Sequence, residues 1–117
     1  MILLTAIAEQ TVAPGAAVVF DAEIIGRRRG RGVCLGAGTH LIHFGGNVAG
    51  TAPVSFTVYV GGEALPETVM LSNVAAEQNV SATTAVKACG CERVTVVNTG
   101  TADATIANAR LLIDRDR

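Results

Sequence analysis

The chain has 117 residues, half of them hydrophobic, yet it holds only three Phe, one Tyr and no Trp. That length fits one domain over residues 1–117 and excludes two full cores. Nine basic against ten acidic residues leave a net charge of −1, which excludes the broadly basic face of a general nucleic-acid binder.

Residues 2–8, ILLTAIA, form the first predicted strand. No basic region precedes them and the apolar run is short for a secretory signal. Nor does any segment approach the roughly 18–20 apolar residues of a membrane span. A product of the cytoplasm with reduced thiols is therefore expected. A Pro14-Gly15 turn leads into a second strand, GAAVVFDAEII (residues 15–25). Then comes the most concentrated charge in the chain, RRRGRG, carrying Arg27, Arg28, Arg29 and Arg31. Glycines interrupt the arginines, so they cannot line one side of a helix. They belong to a loop between the second strand and VCL (residues 33–35).

GTHLIHFGGNVAG (residues 38–50) is a longer strand with Ile42, Phe44 and Val48 on one side. In PVSFTVYV the alternation puts Val54, Phe56, Val58 and Val60 on one side and Ser55, Thr57 and Tyr59 on the other. Gly61-Gly62 closes it as a hairpin turn. ETVMLSNV (residues 67–74) and QNVSATTAVKA (residues 78–88) follow, rich in Val and Thr. ERVTVVN and ATIANARLLIDR flank a turn at NTGTAD. Val94 and Val96 alternate on the first of these. Ile106, Ala109, Leu111 and Ile113 populate the second. No stretch sustains a helical period with caps, and turn signals recur about every 8–12 residues. The pattern predicts an all-β fold: about eight to ten antiparallel strands in a two-sheet jelly-roll sandwich. High apolar content on small and β-branched residues, with few charges, also points to self-association.

GAGTHLIHFGGNVAG, PVSFTVYVGGEALPETVM, VKACGCERVTVVNTG and ATIANARLLIDR, in that order and spacing, resemble a known family. It is the tumour-necrosis-factor-like and complement-globular-head-like jelly rolls of Firmicute bacteria and their prophages. The resemblance runs over residues 15–115. It is carried by Gly38, His40 and Phe44; by Gly61, Gly62, Leu65 and Pro66; by Cys89 and Cys91; by Val96, Asn98 and Gly100; and by Ala107, Asn108, Leu111 and Ile113. His40 stands where that pattern has an aromatic residue, and the RRRGRG loop is more basic than the pattern. The resemblance implies a homotrimer around a threefold axis, with His40, Phe44 and Tyr59 as axis candidates. It brings no catalytic residues and no cofactor.

Three Cys and two His, without paired CxxC spacing, fall short of a four-ligand zinc site. His40 and His43 lie three apart on a strand and face opposite sides. An odd cysteine count excludes complete pairing; reduced thiols are the plain reading, with a Cys34–Cys89 or Cys34–Cys91 bridge as the alternative. No nucleophile motif and no glycine-rich loop before a helix is present, so an enzyme is not expected. The expected function is structural: a trimeric phage capsid decoration or head-fibre-like protein, made in the bacterial host and carried in the virion. A solvated or intertrimer loop is the plain reading of Arg27, Arg28, Arg29 and Arg31; in the sharper reading they would dock an acidic capsid or other virion protein. The alternative is a bacterial surface or spore-coat head that holds a glycan or a host protein. Nucleic acid ranks behind both.

Overall fold

The computed structural model describes residues 2–25, 33–50, 53–72, 77–90 and 92–115. Among these are eleven strands: β1 (Ile2–Ala6), β2 (Gln10–Val12), β3 (Ala22–Ile25), β4 (Val33–Leu35), β5 (Gly38–Ala49), β6 (Val54–Val60), β7 (Glu63–Ala64), β8 (Met70–Ser72), β9 (Gln78–Ala88), β10 (Glu92–Asn98) and β11 (Ala104–Arg115). One sheet runs β3-β1-β11-β5-β9, with β2 also paired to β11; the other runs β4-β10-β6-β7, with β8 also paired to β6. Every pairing is antiparallel. The two sheets face each other across one core. This is the predicted all-β, two-sheet jelly roll.

Period-two alternation decides what enters that core. Val54, Phe56, Val58 and Val60 of β6 are buried, as are Val94 and Val96 of β10 and Leu4 and Ala6 of β1. Three phenylalanines supply the large side chains among small ones: Phe20, Phe44 and Phe56 are all fully buried. The rings of Phe20 and Phe44 meet edge to face, with centroids 6.3 Å apart and planes at 81°, the favoured aromatic geometry. At the β6–β7 turn, Gly61 and Gly62 both have positive φ, 62° and 83°. Two such residues in succession are what a tight hairpin turn requires.

β11 explains an odd spacing in the sequence. Ile106 and Ala109 both face inward although they lie three apart. The register against β5 shifts between Ala107 and Arg110, where Asn108 takes φ 52°. This is a β-bulge, which inserts one unpaired residue and reverses the alternation. Asn tolerates that left-handed conformation better than most residues. Its N–H donates to the Ile7 carbonyl at 3.0 Å.

The structure departs from expectation in four places. The stretch read as a strand from Gly15 is a strand only over Ala22–Ile25; Ala17 makes a single bridge to Val97 of β10. The crossover before it bonds to β10 through its backbone: the Gly15 and Val18 N–H groups donate to the Asn98 and Val96 carbonyls, and the Asn98 N–H donates to the Ala16 carbonyl. A side chain holds it at Val19. The Gln10 amide donates to the Val19 carbonyl and accepts from the Val19 N–H, at 2.8 and 3.0 Å. Residues 67–74 are likewise no single strand: a 3-10 turn spans Pro66–Thr68, and β8 covers only Met70–Ser72. Proline fixes φ for such a turn, and the Thr68 hydroxyl bridges the Leu65 carbonyl and the Val58 N–H. Thr57, read as outward, is 2% exposed, because Thr99 folds over it and shares a 3.0 Å hydroxyl contact. Two short strands, β2 and β7, carried no alternation long enough to read.

Asn98 ties the sandwich end together. It is 1% exposed; its amide donates to the Val12 and Ala102 carbonyls, and its carbonyl oxygen accepts from the Gly100 N–H. Replacing it by Ala orphans one buried and two part-buried backbone groups, with an expected loss of about 2–3 kcal/mol. Phe44→Ala should cost about 3–5 kcal/mol, as a large-to-small change in a filled core does. Both are read from denaturant midpoints; a loss below about 1 kcal/mol in either variant contradicts the packing described.

Candidate functional site

The outward side of the six-stranded sheet is the site of interest. Strand register lays its residues in rows. Leu3, Leu112, His43 and Thr83 stand side by side across β1, β11, β5 and β9. One row along are Asp114, Leu41 and Ala85; on the other side are Thr5, Arg110, Gly45 and Ser81. Leu41 is 46% exposed, and Leu3 and Leu112 are half-buried. These leucines sit where a solvated strand would carry charge. On these rows Arg110 and Asp114 are the only formal charges.

Two pairs of its polar side chains bond each other across β5 and β9. His43 Nδ1 and the Thr83 hydroxyl share a 2.6 Å hydrogen bond, and the Asn79 amide donates to the Asn47 side chain at 2.9 Å. The Thr5 hydroxyl is buried and has no hydrogen-bond partner among the described residues. Gly45 and Gly46 serve opposite sides. A Cβ on Gly45 would come within 3.1 Å of the Arg110 guanidinium; one on Gly46 would meet the Ile106 side chain at 3.0 Å and the Ala109 Cα at 3.4 Å. Gly45 thus leaves room for Arg110 to lie close to the sheet, while Gly46 admits Ile106 to the core.

β9 forms one margin of this surface. It is eleven residues long and pairs only with β5 among the described strands. It has no proline and a single charge, Lys87. An exposed edge of this kind is a template for pairing unless something covers it. Around the corner, Gln78 accepts from the Ser72 hydroxyl and Glu67 from the Thr84 hydroxyl. There Val69 and Leu71, 45% and 65% exposed, form a second apolar patch.

The residues singled out from sequence do not converge. His40 is 5% exposed and Phe44 0%; both lie on the inward side of β5, so neither can meet a symmetry axis. His40 Nε2 bonds the Gly36 carbonyl at 2.8 Å. Tyr59 is half-buried on the other sheet, beside Thr95 and Ala64. His43 does face away from His40, as expected for residues three apart. Cys89 is exposed and free, so it makes no bridge to Cys34, and its N–H donates to Glu92. The Cys34 side chain and Cys91 lie outside the described residues, as do Arg27, Arg28, Arg29 and Arg31. Among the described residues no three His, Cys, Asp or Glu stand together as a metal site.

What sequence reading missed was the centre of the outward rows. The signal was there: the alternation that sends Ile42 and Phe44 inward sends Leu41 and His43 outward.

The order and pairing of the strands define a jelly roll of the tumour-necrosis-factor type. Among solved structures, the chain is similar to Eiger TNF from S. frugiperda, with TM-score 0.81 and 11% identity over 99% of this chain and 91% of that one. It is also similar to murine APRIL (TM-score 0.73, 12% identity, 97% and 96% covered) and to the globular domain of zebrafish complement 1qA (0.71, 8%, 98% and 98%). Neither a family model nor a curated protein matches the sequence. At such identities the likeness is one of fold.

The two glycines give a direct check on which side is which. Gly46→Ala should destabilise by about 1–3 kcal/mol through overpacking against Ile106. Gly45→Ala should change stability by less than about 0.5 kcal/mol, because an exposed arginine moves aside. Equal losses in thermal unfolding of the two variants contradict the assignment.

Proposed function

We propose that this protein is a non-enzymatic, homotrimeric binding head whose subunits pack through the outward side of the six-stranded sheet. The observation that carries it is the row Leu3–Leu112–His43–Thr83 with Leu41 and Ala85 beside it. This is a nearly neutral surface with Leu41 exposed and Leu3 and Leu112 half-buried at its centre. Apolar surface of this kind marks a contact. The second patch, Val69 and Leu71 by the β9 edge, is a different surface on the same subunit. A contact between unlike patches is heterologous, and it builds a ring where its rotation closes. The number three follows from the jelly-roll resemblance, in which subunits pack side by side around a threefold axis.

In its narrower form the partner of the trimer is a virus capsid, engaged by Arg27, Arg28, Arg29 and Arg31. Support for it is charge: the other five basic residues face ten acidic ones, so this segment is the one concentrated positive feature. Three copies would gain from multivalency, and complementary charge sets register and encounter rate.

Sedimentation equilibrium should give a mass close to three chains for the wild type. Leu112→Asp and Leu41→Asp should each give folded monomers by circular dichroism. A folded wild-type monomer at micromolar concentration contradicts the proposal. Replacing the four arginines by Ser should leave trimer mass and melting temperature unchanged while removing salt-sensitive co-sedimentation with purified capsids; unchanged co-sedimentation contradicts the narrower form.

A further inference from the structure

We infer that the assembly is acid-sensitive and that His43 is the group that makes it so. This rests on the proposed packing of subunits through the outward side of the six-stranded sheet. The chain has two histidines, and histidine is the side chain whose charge ordinarily changes between about pH 5 and 8. Only one of them stands on this surface. His40 is in the core with its Nε2 on the Gly36 carbonyl. His43 is half-buried at the centre of the apolar rows, with Leu112 on one side and Thr83 on the other.

Its own subunit leaves it without a net counter-charge. From β11, Arg110 and Asp114 stand one row to either side of it, diagonal and opposite in charge. At comparable diagonal spacing, about 7–8 Å, they largely offset each other. From β9 come Ser81, Thr83 and Ala85, all neutral, with Lys87 two rows away opposite Thr39. From β1, beyond Leu112, comes Leu3. Among the described residues no carboxylate is paired with the imidazole; its Nδ1 partner is the Thr83 hydroxyl. Covering this surface with another subunit therefore removes an imidazolium from water without supplying a counter-charge from its own subunit. Burying an unpaired charge is costly, and the neutral ring is favoured. The assembled form then binds the proton less readily than the free subunit. By linkage, assembly is strongest above the histidine range and weakens as pH falls through it. Each subunit carries one such ring, so the effect enters once per chain.

The experiment measures the assembly constant by sedimentation at pH 7.5 and 5.5 for the wild type, His43→Gln and His43→Lys, with circular dichroism confirming folded subunits. Glutamine keeps a hydrogen bond to Thr83 without a titrating group; lysine holds a permanent charge there. The expected result is wild-type assembly weakened about tenfold or more at pH 5.5, His43→Gln assembled equally at both, and His43→Lys monomeric at both. An assembled wild type indifferent to pH overturns the inference and leaves the packing proposal standing. Acid dissociation that persists in His43→Gln overturns the assignment to His43. A folded wild-type monomer at pH 7.5 overturns the packing proposal, and this inference with it.

Discussion

The edge-to-face contact of Phe20 and Phe44 is the constraint on which the molecule turns. A core of Val, Ala and Ile has little bulk, and three phenylalanines must fill the space between two sheets. Seating Phe44 against Phe20 fixes the inward side of β5. A one-residue slip would send every side chain of that strand to the wrong face. With Phe44 inward, Ile42 and His40 are inward as well, while Leu41 and His43 are left outside. The core contact thus determines the chemistry of the outer surface. The bulge at Asn108 does the same for β11: it resets alternation so that Ala109 and Leu111 reach the core and Arg110 and Leu112 face outward.

What lies outside is unusual for a strand surface. Antiparallel sheets with one solvated side normally alternate apolar-in with charged or polar-out. Here the outward positions carry leucine, alanine and threonine with few charges, and two of the polar pairs, His43–Thr83 and Asn47–Asn79, bond each other within the sheet. Such a surface gives up little hydration when covered and gains from apolar burial, at roughly 25 cal/mol per Å². That balance is the physical basis for reading it as a contact between subunits. The same composition leaves the long β9 edge with one lysine, Lys87, and no proline to guard it.

Much of this was legible in the sequence. Strict alternation in Val54–Val60 and in the Val94–Val96 stretch was enough to place both strands and their buried sides, and Gly61-Gly62 marked the hairpin turn. Other features were not legible, for identifiable reasons. The crossover before Phe20 reads as a strand and does bond to β10 at Gly15, Ala16 and Val18, but at Val19 its backbone partner is the Gln10 side chain. The Pro66–Thr68 turn depends on a threonine hydroxyl bonded across ten residues. Thr57 looks solvent-facing until Thr99 covers it. His40 drew attention by replacing an aromatic residue in a recognised pattern, and the strand period alone would have assigned it to the interior beside Phe44. The basic segment at residues 27–32, the strongest signal in the sequence, falls outside the described residues, so charge alone speaks for it.

The most direct measurement of the central claim is hydroxyl-radical footprinting of leucine and isoleucine side chains across a dilution series. The account places Leu41 and Leu112 under a neighbouring subunit and Ile7, 70% exposed, outside the rows at the centre of the contact. Leu41 and Leu112 should be protected at high concentration and become reactive together on dilution, while Ile7 reacts at every concentration. A Leu41 that oxidises as a 46%-exposed side chain at all concentrations would contradict it.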